Sequence, residues 1–165
     1  MKYIFFIIAG IIFLNGCSYK HDNLYIGSKK TTEQAVANTK KVQILKDKKP
    51  IIFATITYLD SIKNKKFVDK NMEQFVIGFH FRNSGTKSKN NLDLKDVNFQ
   101  IDGKTEGISV IKLNSDSPIL KIIPASTPWS QYFFVQTSRI PKNIIKFSFQ
   151  IHPYAWESLD FEKDF

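Results

Sequence analysis

Few side chains in this 165-residue chain stand where they could do chemistry together. The histidines His21, His80 and His152 are the obvious metal ligands, but the last two are 72 residues apart and no pair has ligand spacing. A structural zinc site takes about four clustered ligands, so no metal is expected. Serine catalysis of the Gly-x-Ser-x-Gly kind has no elbow here, and no glycine-rich loop is shaped to cradle a phosphate. Glu157, Asp160, Glu162 and Asp164 crowd the end of the sequence, where such a group reads as a solvated tail. No catalytic residue and no cofactor are therefore expected, and the chain reads as non-enzymatic. The remaining candidates are Trp129, Tyr154 and Trp156. Exposed together, they would form a binding patch for a sugar or peptide; buried, they would cap the core through their large apolar area.

The only cysteine, Cys17, follows the apolar run Tyr3 to Leu14, which is itself preceded by Lys2. A basic start, an apolar stretch and a small residue at Gly16 are the parts of an export signal. The run is shorter than the roughly 20 residues that a membrane-spanning helix needs. The segment Leu14-Asn15-Gly16-Cys17 resembles the lipobox of bacterial lipoproteins. In that family the thiol receives diacylglycerol and the chain is cut just before it. The resemblance implies lipidation of Cys17, a membrane partner through that lipid, and removal of residues 1–16. Ser18, next in line, is similar to the pattern of proteins sorted to the outer membrane, facing the periplasm or the cell surface.

Charge is unevenly spread. The chain carries 24 basic and 15 acidic residues, a net of +9, and residues 20–49 alone hold eight lysines against Asp22, Glu33 and Asp47. A basic stretch near an anchor suits either a solvated tether or contact with anionic headgroups. No basic and aromatic residues interleave in a nucleic-acid-binding motif, so no nucleic acid partner is expected.

The elements that must position these residues follow from periodicity. Residues 18–30 show no period and read as a spacer. Thr31-Thr32-Glu33-Gln34 fits a capping box, and Ala35, Val36, Thr39 and Val42 recur at helical spacing, which predicts a helix from Thr32 to about Leu45. From Pro50 the period becomes two. Strands are predicted at Ile51–Leu59, Phe75–Arg82, Val97–Ile101, Ile108–Leu113, Ile119–Ile123, Trp129–Thr137 and Ile144–Ile151. Asp102-Gly103 suits a tight turn and predicts a hairpin between Val97–Ile101 and Ile108–Leu113, with a bulge near Val110. Apolar residues on both faces of Trp129–Thr137 predict a strand covered on both sides.

Seven strands without intervening helices predict an antiparallel immunoglobulin-like β-sandwich. The domain division expected is 1–16 signal peptide, 17–49 lipidated tether with a short helix, and 50–165 sandwich. No cysteine pair is present to pin the sheets, so Phe75, Phe79, Phe81, Phe99, Phe147 and Phe149 are the expected core. With the lipobox, the chain looks like the small envelope lipoproteins of Gram-negative bacteria that carry one variant immunoglobulin-like domain. The resemblance implies a tethered interaction module for an unknown protein, cell-wall polymer or host surface. An alternative is a carrier of a small hydrophobic ligand or lipid between the sheets.

Overall fold

Apolar alternation at period two buries the backbone along with the side chains, and buried amides and carbonyls must then pair between strands. The computed structural model describes residues 29–60, 62, 67–82 and 92–163. Helix α1 (Lys29–Ala37) leads into β1 (Thr39–Lys46), β2 (Lys49–Tyr58), β3 (Met72–Phe81), β4 (Val97–Ile101), β5 (Ser109–Leu113), β6 (Gln131–Ser138), β7 (Ile144–Ile151) and β8 (Trp156–Glu162). Short 3-10 turns occupy Leu94–Asp96 and Pro118–Lys121.

Every pairing is antiparallel. The strands form a five-stranded sheet in the order β1-β2-β3-β6-β5 and a three-stranded sheet in the order β4-β7-β8. With β1 set aside, β2-β3-β6-β5 facing β4-β7-β8 is the A-B-E-D and C-F-G arrangement of an immunoglobulin constant-type sandwich. The expected sandwich is thus present, with eight strands instead of seven.

Aromatic rings fill the space between the sheets. Phe75 of β3 and Phe147 of β7 lie with centroids 4.6 Å apart, on the two strands that a disulfide bridges in antibody domains. Phe79 meets Phe133 and Phe149 at 5.9 and 5.4 Å, and Phe75 meets Phe161 at 5.6 Å. Phe81 is only partly buried, while Phe133 and Phe161 join the core. The outer face of the larger sheet is covered too: Thr57, Val76 and Tyr132 lie beneath Ala35 of α1, Leu59, Ile62 and residues 119–123. This second cluster is why β6 is apolar on both faces.

Seven local expectations are corrected. The predicted helix stops at Ala37, because Asn38 donates from backbone and side chain to the Gln34 carbonyl and the Thr39 hydroxyl donates to the Ala35 carbonyl. These bonds satisfy helix-end carbonyls without another turn. Residues 39–46 then pair with β2, so the boundary expected at residue 50 falls inside the β1–β2 hairpin. Thr31, expected as a cap, lies within α1 and is buried.

Asp102 and Gly103 do make a tight turn, with φ of 52° and 76° and reciprocal backbone bonds between Ile101 and Lys104. No hairpin follows, because β4 pairs with β7 while the chain crosses to the other sheet, where β5 pairs with β6. The β5–β6 register is unbroken, so the expected bulge is absent there. The predicted strand Ile119–Ile123 is a 3-10 turn begun by Pro118, and it buries Ile119, Leu120, Ile122 and Ile123 over the sheet. Finally, the acidic tail is a strand: Glu157, Asp160 and Glu162 belong to β8, whose Phe161 is fully buried. Lys40 of β1 reaches across to the Asp160 carbonyl and lies 5.3 Å over the Phe161 ring, which brings the two sheets together along this side.

Candidate functional site

The lipidation motif Leu14 to Cys17 lies outside the described residues. The three aromatic candidates are within them, and the fold separates their roles. Tyr154 packs partly buried against the core just after the cis His152–Pro153 bond, with its amide bonded to Ile151 at 2.7 Å. Trp129 is 74% exposed on a turn held by the Ser130 amide on the Thr127 carbonyl and by the Thr127 amide on the Tyr132 hydroxyl at 2.7 Å. Trp156 is 40% exposed and lines an open cleft of about 230 Å³ with Val97, Asn98, Ile108 and Val110.

Register places both tryptophans at one end of the sandwich. Trp129 precedes Gln131, which pairs with Phe79 at the end of β3, and Trp156 pairs with Gln150 at the end of β7. One belongs to each sheet, and no ring contact joins them among the described residues.

A charged cluster that periodicity does not reveal sits at the opposite end. Glu73 of β3 is fully buried and receives three hydrogen bonds, from Lys163 Nζ at 2.5 Å, the Ile140 amide at 2.9 Å and the Tyr58 hydroxyl at 2.5 Å. Lys163, also buried, donates a second time to the Ile140 carbonyl. Arg139 stands beside the cluster, 3.6 Å from Glu73 and paired with Asp60.

The electrostatics follow from these contacts. Burial pushes the Glu73 carboxyl up, but the bonds from Lys163, Tyr58 and Ile140 outweigh it and hold the group below its ordinary value. Burial and the adjacent carboxylate push the Tyr58 hydroxyl far up, so it stays a donor. The Asp60 carboxylate raises the already basic Arg139. With every partner supplied by the protein, the cluster joins β2, β3, the β6–β7 loop and the residue after β8. It has the chemistry of a clamp.

His80 is partly exposed, with its ring 6.4 Å from Phe53, and His152 is exposed. Among the described residues no three of His, Cys, Asp and Glu group to hold a metal, and no helix is long and apolar enough to cross a membrane.

Fold and site together define a two-sheet antiparallel sandwich of immunoglobulin-like order with a buried ionic clamp. No protein-family model, curated protein or solved structure matches the chain.

Proposed function

We propose that the chain is a lipid-anchored protein of the bacterial envelope, non-enzymatic, whose sandwich is a tethered interaction module. The observation that carries this reading is Leu14-Asn15-Gly16-Cys17 directly after the apolar run Tyr3 to Leu14. Eleven residues separate Cys17 from α1, which starts at Lys29. A span of that length reaches up to about 40 Å when extended, enough to let a small domain turn freely at the bilayer surface. One acyl chain binds only marginally, so stable attachment takes the several chains that the resemblance implies on Cys17.

The interior favours surface binding over carriage of a ligand between the sheets. The rings there contact one another at 4.6 to 6.2 Å, and a ligand would have to displace them. The partner, a protein or an envelope polymer, would meet the outside of the sandwich. Labelling cells with radioactive palmitate tests the anchor. The parent chain takes up label and fractionates with membranes, whereas Cys17→Ser takes up none and is released. Equal labelling of both would refute the reading.

A further inference from the structure

The larger sheet gathers cations and exposed apolar groups at one end. There the β1–β2 turn (Asp47-Lys48), the end of β3 at Arg82 and the start of β6 just after Trp129 succeed one another across neighbouring strands. The hairpin, Arg82 and Trp129 thus stand at the same end of four neighbouring strands, each about 4.8 Å from the next. Lys46, Lys49 and Arg82 line an open cleft of about 560 Å³ whose only acid is Asp47, and exposed Lys48 stands on the turn itself. Arg82 donates to the Pro50 carbonyl at 3.5 Å, which positions its charge without cancelling it. Among the described residues none of these four cations is in an ion pair. Beside them Leu45 is 54% and Trp129 74% exposed.

Four unpaired cations call for an anion, and the exposed indole and leucine call for an apolar phase within reach of it. A soluble phosphate answers only the first demand. The headgroup region of an anionic bilayer answers both, because basic residues are drawn to its surface charge and tryptophan settles at its interface. We propose that this end of the sandwich, the β1–β2 hairpin with Arg82 and Trp129, docks on the surface of an anionic lipid bilayer. The docking requires no acyl chain. It adds to the lipid-anchored reading an orientation, with the hairpin end toward the bilayer.

The test uses the full chain carrying Cys17→Ser, so that acylation plays no part and residues 1–28 contribute equally to every variant. Sedimentation is measured with vesicles of neutral phosphatidylcholine and with vesicles containing phosphatidylglycerol. The variant Lys46→Glu/Lys48→Glu/Lys49→Glu is expected to lose about 100-fold in binding to the anionic vesicles. Lys70→Glu/Lys104→Glu/Lys146→Glu, with the same change in net charge, loses far less, and added salt weakens binding of the parent. In a Trp156→Phe background, Trp129 emission shifts to the blue on anionic vesicles only.

Trp129→Ala replaces an exposed side chain and lowers binding several-fold, so the proposal stays testable if the triple variant misfolds. Equal losses in the two triple variants would overturn the proposal, as would equal binding to neutral vesicles or an unmoved Trp129 emission. Release of the protein by millimolar phosphate, but not by chloride of equal ionic strength, would assign a discrete anion site and overturn it as well. Palmitate labelling of Cys17 is independent of every one of these outcomes.

Discussion

Glu73 is a buried carboxylate whose charge is held by Lys163, Tyr58 and the Ile140 amide. Its folded acidity lies below the ordinary 4.5, so the stability it contributes is complete above about pH 4.5 and is lost as pH falls through the depressed value. Removing one partner of such a pair leaves the other buried and uncompensated, a loss of about 3 to 5 kcal/mol. Glu73→Gln is therefore expected to lower the urea midpoint strongly at pH 7 and to flatten the fall in stability as the pH drops below about 4.5. The double variant Glu73→Leu/Lys163→Met is expected to be more stable than Glu73→Gln, because apolar replacements of both partners leave no orphan charge. Parallel pH profiles for the parent and Glu73→Gln would refute this account. No local sequence signal marks the pair, since its members are 90 residues apart. The proposal for Cys17, in contrast, rests on a four-residue context that is contiguous in the sequence, whereas a pair assembled only by the fold leaves no such local pattern.

At the scale of elements, β3 and β6 carry a close approach that depends on glycine. Gly78 pairs with Tyr132, and a Cβ built at residue 78 would stand 2.5 Å from Cε1 and 2.9 Å from Cδ1 of that ring. The ring cannot swing away freely, because its hydroxyl holds the Thr127 amide and it lies in the buried outer cluster. Gly78→Ala is expected to destabilise by about 1 to 3 kcal/mol, the usual cost of overpacking. In a Tyr132→Leu background the added penalty should shrink, and a urea-denaturation cycle over the four proteins measures the coupling.

Elements with clean alternation were readable at this scale: β7 has the predicted bounds, and β2, β3 and β6 differ by only a few residues. Misreadings arose where two structures share a pattern. Val42 fits both a helix period and the alternation of β1, and the choice was made by the Asn38 and Thr39 bonds that end α1. Asp102-Gly103 specifies a turn, but whether the chain then folds back or crosses over depends on the partner awaiting β4. That partner is β7, to which Asp102 is tied through both its backbone and its carboxylate at Lys146.

For the whole molecule, alternation and turn residues determine that there are two apolar sheets; they do not determine which strand joins which sheet. That choice is long-range, and β8 shows how much depends on it. Its three acids read as a tail because charge dominates the local composition, yet the strand brings Phe161 into the ring stack and places Lys163 against Glu73. Loss of a buried phenylalanine costs about 3 to 5 kcal/mol, and an orphaned Glu73 costs a similar amount. Together these approach the roughly 5 to 15 kcal/mol by which a domain is stable. A chain ending at Ala155 is therefore expected to lose its cooperative urea transition and its near-ultraviolet dichroism. Neutralising only the exposed acids, by Asp160→Asn/Glu162→Gln, should leave the midpoint within about 0.5 kcal/mol of the parent, as for other surface changes. A truncated chain that still unfolds cooperatively at the parent midpoint would return residues 156–165 to the status of a tail. In that case the sandwich would have to stand without the β8 side that Lys40 links to β1.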